Sequence, residues 1–199
     1  LCRGLMLYNR QNASPEQLTA WVHQIESCFH GQPSGLDAHL AQFGGIGRFT
    51  RGHGFEALKL PATEFIIADS GVSRQTSTLV TQVAERHARL PQVTQPIFAS
   101  ITAVVESGIS AWQARDWALL GECLNINQGL LDALSVSHPQ NARLVEAARA
   151  AGALGAKLTG AGGGGCVMAL CGARGDDVER ALRALSKSVF RVMLGDANV

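Results

Sequence analysis

The feature that most constrains this chain is the ten-residue stretch Lys157-Leu-Thr-Gly-Ala-Gly-Gly-Gly-Gly-Cys166, which contains five glycines, four of them consecutive. A glycine fixed by folding costs roughly 0.5–1 kcal/mol relative to alanine, so five glycines cost about 3–5 kcal/mol. A chain carries that cost where its backbone needs positive φ angles or must approach another group closely. Successive N–H groups in such a loop can also form a concave anion nest, which favours phosphate as the group approached.

The loop Gly160–Gly165, called the glycine loop below, formally matches the dinucleotide fingerprint through Gly160, Gly162 and Gly165. That fingerprint requires a strand before the glycines and a helix directly after them. Here residues 156–159 and 166–170 both have the pattern of strands, so the loop is predicted to join two strands. A Walker A loop is excluded as well, since no glycine-lysine-serine/threonine ending occurs. The alternative is a flexible hairpin without a function, but four consecutive glycines would carry a high conformational cost for that purpose.

Composition indicates a globular chain of one large domain or one and a half. Of its 199 residues 46% are hydrophobic and 17% charged, as in ordinary folded proteins. A net charge of +1 without basic runs argues against a nucleic-acid partner, and no apolar run reaches the roughly 18 residues of a membrane span. Five cysteines without a CxxC pair predict reduced thiols in a cytoplasmic protein rather than a zinc site or disulfides.

Caps, breakers and apolar periodicity predict an α+β chain. Ser14-Pro15-Glu16-Gln17 has a capping-box pattern that begins a helix, and a second short helix ends at Gly44-Gly45. The next predicted elements are a β-hairpin over 48–60, a strand over 64–69 and a helix over 74–90. A helical segment over 94–135 follows; it is predicted to break near Ser107-Gly108, and Asp116 is predicted to cap its second helix. The last predicted elements are a helix from 137 to Gly152, the two strands around the glycine loop, a helix over 177–186 and a strand over 189–194. This order indicates an α+β layer rather than a doubly wound sheet.

Two carboxylates stand out beside the glycine loop. Asp37 alone is most simply a helix-capping residue, because a carboxylate in the first turn meets the helix dipole and free N–H groups. Glu26 alone is most simply a solvated helix residue. Together they lie eleven residues apart, one near a helix end and one near the next helix start. Phosphoryl transfer uses such a pair, one carboxylate holding Mg²⁺ and the other accepting the alcohol proton.

Arg74 and Thr76 begin a helix after the loop Ser70-Gly-Val-Ser73. Capping is the simplest role for them, but an arginine is unfavourable beside the positive end of a helix dipole. Because capping does not suit an arginine at this position, anion binding by Arg74 is the alternative role.

These stretches together resemble the GHMP kinase superfamily, and within it the mevalonate kinase family. The resemblance rests on Gly31-Gln-Pro-Ser-Gly-Leu-Asp37, on the glycine stretch, on Asp69-Ser-Gly-Val-Ser-Arg-Gln-Thr76 and on the segment LGECLNINQGLLDALSVS of residues 120–137. It implies an α+β GHMP fold, in which residues 1–61 are the remnant of an S5-like N-terminal domain and residues 62–199 form a ferredoxin-like C-terminal domain.

The resemblance also implies roles for individual residues. Asp37 would take the proton from the C5 hydroxyl of mevalonate, and Glu26 would help to hold Mg²⁺ beside ATP. The substrate would lie near five residues, namely Ser34, Arg74, Thr76, Gly160 and Ala161. Gly162, Gly163, Gly164 and Gly165 would support the loop that binds the ATP phosphates. The implied protein is cytoplasmic, with mevalonate as its partner, neither nucleic acid nor membrane, and a homodimer as one possible assembly.

The sequence departs from the family in one respect. The family's phosphate-binding motif, proline-x-x-x-glycine-leucine-glycine-serine-serine-alanine, does not occur in these 199 residues. We therefore expect a C-terminal portion that is inactive by itself, in which residues 1–8 correspond to the end of the helix after that motif. Other GHMP enzymes, namely phosphomevalonate kinase, homoserine kinase and diphosphomevalonate decarboxylase, remain alternatives, as does a non-catalytic GHMP module.

Overall fold

The computed structural model describes residues 14, 17, 21, 36–50, 53–73 and 76–196. The chain forms two compact units, Leu1–Lys59 and Leu60–Val199. The identification of residues 1–61 and 62–199 as two GHMP domains stays a prediction.

The described part of the first unit contains a capped helix start, a short helix and a hairpin. Ser14 and Gln17 form the predicted capping box, in which each backbone N–H donates to the other side chain, at 3.0 and 3.3 Å. Helix α1 spans Leu36–Phe43. Strands β1 (Gly47–Thr50) and β2 (Gly54–Ala57) pair antiparallel, which confirms the predicted hairpin.

The second unit is built on a four-stranded antiparallel sheet. Its strands are β3 (Thr63–Asp69), β4 (Gly155–Leu158), β5 (Cys166–Leu170) and β6 (Val189–Leu194). Their order across the sheet is β4-β5-β3-β6, so the first strand in the sequence lies between the last two. This order matches a ferredoxin-like sheet, and the predicted α+β class is confirmed.

Within the described residues of this unit, five helices accompany the sheet, and their boundaries correct one prediction. They are α2 (Thr76–Arg89), α3 (Pro91–Gln113), α4 (Trp117–Ala133), α5 (Pro139–Ala150) and α6 (Gly175–Arg183). The predicted break near Ser107-Gly108 is wrong, because α3 continues through it. Gly108 is buried, and a Cβ built on it would lie 3.6 Å from the Cβ of Cys123 in α4, so this glycine serves close helix packing. Asp116 caps α4 as predicted, accepting the Leu119 N–H at 3.0 Å.

Alternating side chains place apolar residues on both faces of the sheet. On one face Ile66 and Ala68 of β3 share a buried cluster with residues of α5 and α6, including Leu144 and Leu182. On the other face Phe65 clusters with residues of α3 and α4. In the part of the chain that the structure describes, none of the helices has the length and apolarity needed to cross a membrane.

Candidate active site around the glycine loop

The glycine loop joins β4 to β5, which pair antiparallel, and this confirms the predicted strand-to-strand connection. All five of its glycines have positive φ: 68° at Gly160, 88° at Gly162, 69° at Gly163, 132° at Gly164 and 66° at Gly165. L-residues with a Cβ rarely adopt such angles. The run of glycines is therefore required by the backbone path of this connection.

Two neighbouring segments hold the loop. The Gly163 N–H donates to the Val136 carbonyl at 2.8 Å, and the Gly165 N–H donates to the Val72 carbonyl at 3.0 Å. The Gly165 carbonyl in turn accepts the Ser70 N–H at 2.9 Å. Two of the N–H groups that an anion nest would use thus serve to anchor the loop.

The same contacts explain why side chains are excluded. A Cβ on Gly162 would lie 2.1 Å from the Val136 carbonyl oxygen, and one on Gly164 would lie 2.5 Å from the Val72 carbonyl oxygen. Gly163 differs, because the atom nearest to its added Cβ is the tip of the Leu79 side chain at 2.5 Å. A side chain can rotate away, whereas a hydrogen-bonded backbone carbonyl cannot move cheaply.

Local side chains shape the segment that carries Val72. Asp69 ends β3, and its Oδ1 accepts the Gly71 N–H at 3.1 Å. The Oγ of the buried Ser70 accepts the Val72 N–H at 3.2 Å. Short polar side chains that bond backbone groups two residues ahead stabilise tight turns, so the Asp-Ser-Gly sequence fixes the direction of the Val72 carbonyl.

Helix α4 lies directly against β4, the edge strand that leads into the loop. The close approach depends on two glycines, since a Cβ on Gly155 would lie 2.1 Å from the carbonyl oxygen of Gly121. Because helix α4 and strand β4 lie so close together, the Gln128 side chain reaches the strand edge and accepts the Leu158 N–H at 2.8 Å. Asn125, one turn earlier, accepts the Ala156 N–H at 3.1 Å, at the end of β4 remote from the loop.

Two cationic side chains donate hydrogen bonds to carbonyls at the edge of β4. The Nη2 of Arg149 donates to the Ala156 carbonyl at 2.9 Å, and the Nζ of Lys157 donates to the Leu158 carbonyl at 2.8 Å. Burial lowers the pKa of both the Arg149 guanidinium and the Lys157 ammonium. Side chains therefore occupy the positions that a further strand would take, and they leave this edge unavailable for strand pairing.

The structure describes some of the predicted site residues, whereas others lie outside the described part of the chain. Gly160 is exposed and Ala161 half-buried at the start of the glycine loop, and Thr76 is the exposed first residue of α2. Asp37 lies in α1, while its side chain is outside the described part. Three further predicted residues lie wholly outside the described residues: Glu26, Ser34 and Arg74.

The residues that hold the loop, and those that bond the edge of β4, were not among the predicted site residues. The carbonyls of Val72 and Val136 carry no sequence signal, because every residue has a carbonyl. Asn125 and Gln128 did carry one, namely two amides three residues apart on an apolar helix, which places them on one helical face. A buried amide on such a face needs hydrogen-bond partners.

Among the described residues, no group of three or more His, Cys, Asp or Glu side chains is arranged to hold a metal ion. The predicted Mg²⁺ ligand Glu26 lies outside this set. The described residues thus supply the loop and its supports but no complete metal site.

Residues 108–191, which include α4, α5, the glycine loop and the first half of β6, match the family model described as GHMP kinases C terminal. This part of the chain is similar to a GHMP kinase C-terminal domain. The chain is 38% identical over 175 residues to the mevalonate kinase of Pyrococcus abyssi, covering 85% of this chain and 52% of the relative. The mevalonate kinase of Thermococcus onnurineus is 37% identical over 174 residues, with the same coverage.

A solved structure extends this similarity. The crystal structure of L. major mevalonate kinase in complex with R-mevalonate matches at a TM-score of 0.85 and 27% identity, covering 94% of this chain and 60% of that one. The chain spans about half the length of the curated relatives it matches. The predicted resemblance to the mevalonate kinases is confirmed.

Proposed function

We propose that the chain supplies the C-terminal half of an ATP-dependent mevalonate kinase, which transfers the γ-phosphate of ATP to the C5 hydroxyl of mevalonate. The observation that carries the proposal is the similarity to the Pyrococcus and Thermococcus mevalonate kinases over 85% of this chain. The L. major enzyme bound to R-mevalonate, which shares the fold, supports the same substrate.

In the proposed reaction the Asp37 carboxylate takes the proton of the C5 hydroxyl. The freed oxygen forms a bond to the γ-phosphorus as the bond from that phosphorus to the bridging oxygen breaks, and ADP leaves. A well-placed base contributes about 10²–10⁴-fold in rate. Ser34, Arg74 and Thr76 would bind the substrate and its transferred phosphate, so that positioning and charge neutralisation supply most of the remaining catalysis.

The glycine loop would act as a rigid backbone surface in this site. Gly160 and Ala161 would approach the substrate, and Gly162–Gly165 would support the loop that binds the ATP phosphates. The anchoring of Gly163 and Gly165 to neighbouring carbonyls supports this role over that of an independent phosphate nest. The lack of side chains at the anchored positions would let a second loop come close.

Mg²⁺, when bound, would neutralise charge on the phosphates, and Glu26 is its proposed ligand on this chain. We further propose a cytoplasmic enzyme whose partner is this small-molecule substrate rather than nucleic acid or a membrane, with a homodimer as its assembly.

The replacement Asp37→Asn tests the proposed base in the product of the complete open reading frame. We expect kcat to fall by about 10²-fold or more, while ATP affinity stays within about threefold of the wild type. Asp116→Asn is a matched control, because it removes a carboxylate at a helix start where asparagine caps equally well. Near-wild-type turnover of the Asp37 variant would refute the assignment of the base.

A further inference from the structure

Gln128 connects the entry of the glycine loop to the segment on which the loop rests. Its side chain is 2% exposed. Its Oε1 accepts the Leu158 N–H at 2.8 Å, and its Nε2 donates to Asp132 Oδ1 at 2.9 Å and to Ser137 Oγ at 3.4 Å. Both ends of this amide are therefore engaged inside the protein.

The two sides of Gln128 face two fixed points of the loop. Leu158 is the last residue of β4, two residues before Gly160. Ser137 directly follows Val136, whose carbonyl accepts the Gly163 N–H at 2.8 Å. One buried side chain thus sets the separation between the start of the loop and the support of its middle.

The glycine loop needs such external anchors. Fixing the backbone of one residue costs about 1–2 kcal/mol in conformational entropy, and glycine has the largest freedom to lose. No side chain within Gly162–Gly165 can pack to recover that cost. The conformation of these residues therefore depends on the segments that they contact, and Gln128 ties one of those segments to β4.

We propose that Gln128 is a positioning residue that holds the glycine loop in the arrangement used for phosphoryl transfer. The effect on the loop stands on the contacts above, whereas the effect on catalysis rests on the proposed function. A displacement of about 1 Å in a positioning element can reduce turnover by about 10²-fold, so the predicted consequence lies mainly in kcat.

A matched pair of variants separates positioning from general support. Gln128→Met keeps the length of the side chain and removes its hydrogen bonds. Asn125→Leu removes an amide from the same helix that bonds the Ala156 N–H and the Leu154 carbonyl at the remote end of β4. Both variants lose buried amide contacts with the same strand, but only the first loses contacts that lead to the loop.

Amide hydrogen exchange of the chain, resolved at residues 159–166, measures the loop directly. We expect exchange there to accelerate about tenfold or more in Gln128→Met, while peptides from β3 and β5 keep their relative protection. Asn125→Leu should leave residues 159–166 within about threefold of the wild type. If Gln128→Met does not fold, Gln128→Glu serves instead: it keeps an acceptor for Leu158 but places a carboxylate beside Asp132, and an intermediate acceleration is expected.

Steady-state kinetics of the product of the complete open reading frame test the catalytic part. We expect kcat for mevalonate phosphorylation to fall about 10- to 100-fold in Gln128→Met with less than a threefold change in KM, and both to stay within threefold in Asn125→Leu.

Wild-type loop exchange in a folded Gln128 variant, or equal acceleration in both variants, would overturn the positioning role. Accelerated loop exchange with unchanged kcat would overturn its catalytic part. If the wild-type product does not phosphorylate mevalonate, the proposed function fails, and the exchange comparison still decides what Gln128 does to the loop.

Discussion

A methyl group added at neighbouring glycines of the loop should have very different consequences. At Gly162 the new Cβ would lie 2.1 Å from the Val136 carbonyl oxygen, which accepts the Gly163 N–H. Relief of that clash requires the two backbone segments to separate and the hydrogen bond to break. At Gly163 the nearest atom is the tip of the half-buried Leu79 side chain, which can change rotamer.

The magnitudes follow from these contacts. Both positions have positive φ, 88° and 69°, so alanine at either pays a left-handed strain of about 1–2 kcal/mol. The reduced entropy of alanine in the unfolded chain offsets about 0.4–1 kcal/mol of this. Gly162→Ala also loses a hydrogen bond worth about 0.5–1.5 kcal/mol. We therefore expect Gly162→Ala to reduce the free energy of unfolding by about 2 kcal/mol and Gly163→Ala by about 1 kcal/mol.

Urea unfolding followed by tryptophan fluorescence measures this difference. On a Trp21→Phe background the remaining fluorophores, Trp112 and Trp117, both belong to the second unit and report on its unfolding. Equal m values would show that the change lies in stability rather than in the extent of unfolding. If Gly163→Ala were as destabilising as Gly162→Ala, the contact of the loop with Val136 would not be as described.

Gly155→Ala should destabilise the chain by about 1–3 kcal/mol in the same assay, because its Cβ would lie 2.1 Å from the Gly121 carbonyl and force α4 away from β4; wild-type stability would contradict this packing. Ser135→Gly should stabilise it by up to about 1 kcal/mol, since Ser135 has a φ of 55° and glycine carries no left-handed strain; a lower midpoint would argue against strain there. Burial lowers the pKa of Lys157 below its ordinary 10.5, so the unfolded chain holds that proton more tightly. The stability of the wild type relative to Lys157→Met should therefore rise as the pH increases towards 10.5, and a pH-independent difference between urea unfolding curves would contradict the shift.

Local sequence predicted those elements whose signals are local. The bounds of β5 and β6 are the predicted ones, because each is a mostly apolar run bounded by turn residues. The break at Ser107-Gly108 was predicted wrongly, since a glycine that interrupts a helix and one that lets two helices pack have the same local pattern. What distinguishes them is the nearness of Cys123 in α4, which is a tertiary contact.

In the candidate site, too, local sequence predicted the backbone conformation but not the tertiary contacts. The strand patterns on both sides of the glycine run predicted a strand-to-strand loop, and the glycines themselves predicted its positive φ angles. Its supports could not be predicted, since the Val72 and Val136 carbonyls have no sequence signature. The partners of Asn125 and Gln128 depend on which helix meets the edge of β4, and periodicity identifies a buried face without naming its neighbour.

The central claim, that this chain belongs to an enzyme that phosphorylates mevalonate, is tested most directly by a coupled ADP-release assay. The product of the complete open reading frame and the 199-residue chain would be compared on mevalonate, phosphomevalonate and homoserine. We predict that the complete product has its highest kcat/KM with mevalonate and that the 199-residue chain alone is inactive. A complete product that prefers phosphomevalonate or homoserine, or that releases no ADP with any of the three, would contradict the account.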